Sequence, residues 1–170
     1  MTARYADSES MKHVLALLTA ENRLVAEVML STGLRVSDVL SLRKENIKKR
    51  MTVREKKTGK KRRIYLRGSL LERLRGDGKE GWCFPGARDP RKHRTRQAVW
   101  KDIKRAAAML RFNGISPHSC RKNYAVKHFE RYGLDATRRA LNHNGDMVTM
   151  LYALSNVLDS GKHRQKKCKK

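Results

Sequence analysis

The chain has 170 residues, about one domain's worth and enough to bury a core of its own. Lys and Arg number 41 against 16 Asp and Glu, a formal net charge of +25. Such a charge opposes compaction unless a polyanion neutralises it, and each phosphate paired with a cation releases counterions, so nucleic acid is the expected partner. A membrane surface fits less well: no apolar run approaches the ~20 residues of a bilayer span. No apolar stretch follows Met1–Tyr5 as a secretory leader requires. The three cysteines, Cys83, Cys120 and Cys168, are odd in number and widely spaced, which argues against a disulfide framework and for a reducing, cytoplasmic setting. No C-x-x-C occurs, so no metal is expected; His163 and Cys168 sit in a tail whose plainer reading is a solvated basic run.

Taken in chain order, apolar residues at helical spacing predict helices over Ser8–Ala20 and Asn22–Thr32, with Gly33 at the left-handed position that ends the second. Val36, Val39, Leu40 and Leu42 predict a short helix, with Ser37 and Asp38 suited to its first turn. The period then changes. Met51–Arg54 and Arg63–Leu66 read as two strands joined by the basic, glycine-containing turn Lys56–Lys60, which is a hairpin. Leu70–Leu74 is helical, and Gly76–Arg94, with its glycines, Pro85 and Pro90, is loop. Thr95–Leu110 returns to helix on the stripe Val99, Ile103, Ala106, Ala107 and Leu110. Ser116-Pro117 opens another helix, which runs to about Arg131 and ends at Gly133. Short helices fit Asp135–Leu141 and Met147–Leu158, and a basic, loose tail follows from Asp159. The expected class is α+β, mainly helical, with one small antiparallel hairpin.

Several residues have chemistry to offer, and each has a plain reading when taken singly. His118 and Arg121 are three apart on a helix, share a face, and stand beside a helix N-terminus that attracts anions. In so basic a chain that pair also arises by chance. Arg35 follows a glycine-ended helix and projects either into a cleft or into solvent. Lys57 at the hairpin tip either reaches into a groove or is solvated. His143 lies in a turn between helices. Tyr152, among Met150, Leu151 and Leu154, is by itself a core tyrosine.

Arriving in this order, these residues resemble the tyrosine recombinase (phage integrase) family. Thr32-Gly33-Leu34-Arg35-Val36-Ser37-Asp38 is similar to the family's first-arginine segment, with the acid three residues after the arginine. Lys57-Thr58-Gly59-Lys60 with Arg62–Leu66 resembles its hairpin lysine segment. Ser116-Pro117-His118 through Arg121 resembles its His-x-x-Arg box, and Leu141-Asn142-His143 with Thr149 and Tyr152 its final box. The likeness runs from Ser8 to Leu158. Asn142 stands where the family usually has glycine, and asparagine tolerates left-handed backbone better than most residues. The N-terminal DNA-clamping domain usual in the family is expected to be missing from this chain. The expected organisation is therefore a catalytic domain over 1–158 and a basic tail over 159–170.

The resemblance implies a site-specific recombinase that cuts and rejoins DNA through a 3′-phosphotyrosine link, with no cofactor, metal or ATP. Arg35 and Arg121 would fork onto the non-bridging phosphate oxygens, where charge develops. His118 and His143 would hydrogen-bond the same phosphate or relay protons. Lys57 resembles the family's general acid for the leaving 5′ oxygen, and Tyr152 its nucleophile. A free tyrosine pKa is about 10, so neighbouring cations must favour loss of the proton. Asp38 is expected to orient Arg35 or its neighbours. Lys56, Lys60, Arg62, Arg96 and Lys122 are expected to contact DNA, and the basic runs Lys48–Arg54 and Arg88–Arg96 its backbone. Expected partners are double-stranded DNA and further copies of the chain, as a dimer or tetramer on DNA, with no membrane. The apolar strip Ala153, Leu154, Val157 and Leu158 either docks on a neighbouring copy or packs on its own domain. Three rivals remain: a type IB topoisomerase, a catalytically inactive DNA-binding relative, and an RNA or chromatin binder suggested by charge alone.

Overall fold

The computed structural model describes residues 6–76 and 80–141. The helix expected over Met147–Leu158 and the tail beyond it lie outside the described residues. Clustering of backbone contacts divides the chain into Met1–Tyr124 and Ala125–Lys170.

In the first unit α1 (Ser8–Ala16) and α2 (Ala20–Thr32) lead to the five-residue α3 (Val36–Leu40). A 3-10 turn at Lys44–Asn46 precedes β1 (Arg50–Arg54) and β2 (Lys61–Tyr65), and α4 (Gly68–Arg75) follows. Next come α5 (Arg96–Met109) and the start of α6 (Pro117–Leu141). The class is α+β, mainly helical, with a two-stranded antiparallel sheet.

The caps explain where helices begin. Asp7 accepts from the amides of Glu9 and Ser10 at 2.9 Å each, a cap typically worth ~1 kcal/mol. Thr95 caps α5 through the Ala98 amide at 3.1 Å. The first helix stops at Ala16 rather than Ala20, and the second starts two residues earlier than its apolar pattern indicates. The cause is remote in sequence. Asp102 on α5 accepts from the Thr19 amide and hydroxyl at 3.0 Å and from the Asn22 side chain at 2.8 Å, so the α1–α2 turn is fixed from outside. The same carboxylate takes two bonds from Arg105.

Helix α2 packs against α1, α3 and α5. Val25, Val28 and Met29 of α2, Leu34, Val39, Leu40, and Val99, Ile103, Ala106 and Ala107 of α5 are all buried in one cluster. Each large aliphatic side chain so enclosed contributes roughly 1.5–3 kcal/mol. The hairpin joins that cluster with one face only, because side chains alternate along a strand. Val53, Arg62 and Ile64 are buried, while Thr52, Arg54, Lys61, Arg63 and Tyr65 are exposed. The register pairs Val53 with Arg62 and Met51 with Ile64. Loop 80–94 is irregular as expected, apart from bridges pairing Arg43 with Trp82 and Pro85 with His93.

In the second unit, α6 breaks at Gly133, whose φ of 74° and ψ of −177° are not helical. The expected end of one helix and start of the next therefore fall at that residue. Thr137 steadies the break by donating to the Gly133 carbonyl at 2.8 Å.

Candidate active site

The site within the first unit is built at the end of α2. Gly33 has φ 66°, the left-handed conformation that lets the chain reverse after Thr32, and its amide returns to the Met29 carbonyl at 2.7 Å. A side chain there would also lack space: a Cβ would fall 2.3 Å from Cδ1 of Tyr124. The reversal turns the Gly33 carbonyl toward two arginines. Arg62 Nη1 donates to it at 3.1 Å and Arg121 Nη1 at 2.5 Å, while Arg62 Nη2 donates to the Thr32 carbonyl.

Arg35 follows two residues after the reversal, at the N-terminal edge of α3. Its Nη1 donates to Glu55 Oε2 at 2.5 Å. Glu55 is fully buried at the end of β1, and its other oxygen lies 3.8 Å from Arg62 Nη1. Thr58, in the hairpin turn, donates its hydroxyl to Glu55 Oε2 at 2.9 Å. Burial raises the Glu55 pKa, but the hydrogen bonds from Arg35 and Thr58 and the charges of Arg35 and Arg121 more than reverse it. The net direction is down, so the carboxylate is ionised at neutral pH.

Lys57 stands exposed in the turn between β1 and β2. The turn is closed by Glu55 N–H to the Lys60 carbonyl at 3.0 Å and Gly59 N–H to the Glu55 carbonyl at 2.8 Å. It is tied to α3 as well, because buried Asp38 accepts from the Lys56 amide at 2.9 Å. Asp38 therefore positions the hairpin, and among the described residues it makes no hydrogen bond to the Arg35 guanidinium.

Arg121 is buried on α6 and His118 is exposed one turn earlier. Burial first, then the charges of Arg35 and Arg62, lower Arg121 to about 10, which still leaves it protonated at neutral pH. Partial desolvation followed by the charges of Arg121, Arg35, Lys122 and Lys57 holds His118 below its ordinary value of about 6.5. The charges of three other sequence-predicted residues, Arg35, Lys57 and Arg121, thus all reach His118. His143 and Tyr152 lie outside the described residues.

Arg62 is placed differently from expectation. It was expected to contact DNA, but it is buried under Tyr124, with its guanidinium 5.7 Å from the ring centroid, and is spent on Glu55 and two carbonyls. The strand alternation that puts Val53 and Ile64 inward puts Arg62 inward too. Lys56, Lys60 and Arg96 are exposed, and Lys122 is partly so. Glu55 had no place among the sequence-predicted residues. Its signal was its isolation: between Lys48 and Arg67 it is the sole acid. Among the described residues no group of three His, Cys, Asp or Glu is placed to hold a metal ion, and no helix is long and apolar enough to cross a membrane.

The first unit thus places partly buried Arg35 and buried Arg121 near a lysine-tipped hairpin and a histidine at a helix start. Comparison with known proteins gives the chain a family. The model of the phage integrase family matches residues 5–158, and the chain belongs to that family. It is 32% identical over 152 residues to the integrase of Escherichia phage P2, which covers 88% of this chain and 42% of that protein. The catalytic domain of bacteriophage HP1 integrase superposes with a TM-score of 0.67 at 18% identity, over 90% of this chain and 88% of that one. A lambda integrase dimer bound to a core site superposes with a TM-score of 0.72 at 21% identity, over 88% of this chain and 47% of that one. The fold is therefore that of tyrosine recombinase catalytic domains. The chain spans less than half the length of the P2 integrase.

Proposed function

We propose that the chain is the strand-transferring domain of a site-specific DNA recombinase, cutting and rejoining duplex DNA through a 3′-phosphotyrosine link. The observation that carries this is the meeting of Arg35 and Arg121 around Gly33 and Glu55, with His118 and the Lys57 hairpin beside them. Two fixed guanidiniums supply positive charge where a phosphorane would gather negative charge, and preorganised charge is usually the largest catalytic contribution. Tyr152 Oη attacks phosphorus and the 5′ oxygen departs. Lys57 donates the proton that oxygen needs, and Tyr152 passes its own, as it attacks, to one of the two histidines, His118 or His143, acting as proton relay. The ester bond energy is kept, so rejoining needs no ATP.

His118 enters uncharged at neutral pH, because its pKa is held down, and so offers a hydrogen bond to the phosphate rather than a third full charge. His143 joins the same phosphate. Exposed Lys56, Lys60 and Arg96, with Lys122, line up on the DNA backbone, where contacts fix position and carry no sequence information. The solved lambda integrase dimer sits on DNA, which supports DNA-dependent self-assembly for this chain too. Its place of action is the cytoplasm, at the nucleoid of a bacterial, archaeal or phage-infected cell. The catalytic domain is taken as 1–158, with 159–170 as a basic tail.

The test is a covalent trap in EDTA. Labelled duplexes from DNA flanking the gene, each nicked near a candidate cut, are incubated with wild type and with Tyr152→Phe, then run on a denaturing gel. An adduct with wild type alone supports the reading. Firm binding to the same duplex in a native gel without any adduct overturns it in favour of an inactive DNA-binding relative.

A further inference from the structure

The hairpin and the two arginines meet at a single carboxylate. Glu55 is the last residue before the turn that carries Lys57, and it is fully buried. An ionised carboxylate at such depth costs several kcal/mol unless it is paired and hydrogen-bonded. Its Oε2 takes Nη1 of Arg35 and the hydroxyl of Thr58. Its Oε1 faces Arg62 at 3.8 Å and has no hydrogen-bond partner among the described residues. Arg62 in turn shares the Gly33 carbonyl with Arg121. One carboxylate thus touches the turn that presents Lys57, holds the Arg35 guanidinium directly, and reaches Arg121 through Arg62 and a carbonyl.

We infer that Glu55 is a positioning residue for strand cleavage, the counter-ion that sets Arg35 against the scissile phosphate and locks the Lys57 turn to it. The inference rests on the recombinase reading above. A guanidinium has five N–H donors in a fixed fork. Glu55 takes one of those on Nη1, which tethers the fork at that end and leaves its remaining donors for a phosphate. Thr58 fastens the turn to the same oxygen, so the acid that protonates the leaving group and the arginine that holds the phosphate keep a set separation. Three arginines with Glu55 and Asp38 among them also keep mutual repulsion from spreading the guanidiniums before DNA arrives.

This role predicts a split that a merely structural one does not. Glu55→Gln removes a buried negative charge, so the site becomes more positive and duplex affinity holds or rises. Cleavage falls instead, because misplacement of a reacting group by ~1 Å costs about 100-fold. The first readout is single-turnover adduct formation on a nicked duplex, beside native-gel affinity and melting temperature. The second is the Arg35 Nε–Hε NMR resonance, which does not depend on turnover. In wild type a single sharp peak that shifts on adding duplex is the expected result. In Glu55→Gln it broadens and its shift on adding duplex is lost.

An adduct rate down about 100-fold at equal or tighter binding, with the altered Arg35 resonance, supports the role. An unchanged rate and resonance overturn it while leaving the recombinase reading intact. A rate above wild type also overturns it, making Glu55 a competitor of the phosphate. Affinity and rate falling together, in step with melting temperature, reduce Glu55 to a structural ion pair. If wild type binds the duplex firmly but forms no adduct, the recombinase reading fails on its own, and the Arg35 resonance then decides whether Glu55 sets that guanidinium. Where Glu55→Gln does not fold, Thr58→Val at the exposed turn removes the hydroxyl's bond to Glu55, together with the long 3.4 Å bond it accepts from the Lys60 amide. A several-fold slower adduct at wild-type melting temperature is then expected, and an unchanged rate overturns the coupling to the turn.

Discussion

Replacing Gly33 by alanine strikes the fold through the added Cβ and the site through the Gly33 carbonyl oxygen. Two costs can be worked separately. The left-handed φ of 66° disfavours any L side chain by about 1–2 kcal/mol. The new Cβ would lie 2.3, 2.7 and 2.8 Å from three ring atoms of Tyr124, so the ring must move, and overpacking of this kind costs about 1–3 kcal/mol. Together about 2–5 kcal/mol is expected, which for a chain of this size lowers the melting temperature by roughly 4–20 °C. Moving Tyr124 also disturbs Arg62, stacked on its ring, and tilting the Gly33 carbonyl loosens Arg62 and Arg121. Thermal unfolding of Gly33→Ala, Tyr124→Ala and the double variant separates the two costs. The double variant should recover the packing part relative to the sum of the singles and retain the backbone part. If Gly33→Ala melts with wild type, or the double variant is simply additive, the reasoning from φ and crowding is refuted.

Asp102→Ala should cost about 1–3 kcal/mol, measured by urea unfolding, because Thr19, Asn22 and Arg105 all lose their acceptor. Burial raises the Asp102 pKa, but those hydrogen bonds outweigh it and the net direction is down, so its stabilisation is present at neutral pH and lost as pH falls below about 4, the ordinary carboxylate range. The acid-unfolding curve of Asp102→Asn should be flatter there than that of wild type. For His118 the depressed pKa means the folded protein binds fewer protons than the unfolded chain just below pH 6.5, so stability falls as pH drops through that window. A phosphate placed beside His118 would oppose the depression, so duplex binding should take up protons below the ordinary histidine value of about 6.5, and calorimetry in two buffers of different ionisation heat should find that uptake lost in His118→Gln. Burial pushes the Cys83 and Cys120 thiols up to about 12, so both should resist a thiol reagent in the native state and react on unfolding.

Helix positions and the hairpin were legible because period and punctuation are local. Gly33, Gly59 and Gly133 each mark a left-handed turn at the place the pattern demands. The end of α1 was not legible, since Asp102, more than eighty residues away, decides it. The ordered boxes made Arg35, Lys57, His118 and Arg121 readable as candidates, and the structure brings those four together. The inward place of Arg62 is hard to see in the sequence because positive charge abounds there, although strand alternation puts it beside Val53 and Ile64. Glu55 was passed over for the same reason: in a run of cations an acid looks like surface balance, whereas here it is the ion around which the cations are arranged. A buried ion pair cannot be inferred from composition, because it depends on which strand face turns inward.

The grip of Asp38 on the hairpin has a practical side. It holds the main-chain amide of Lys56, not a side chain. The path of the tip is thus written at Asp38, Glu55 and Gly59, while the groups at 56 and 57 ride on it as interchangeable fittings. A lysine analogue of lower basicity, or a cysteine later alkylated to an amine, can be installed at 57 with the same geometry. The hairpin offers a socket in which the group at 57 can be exchanged while the backbone that carries it stays put.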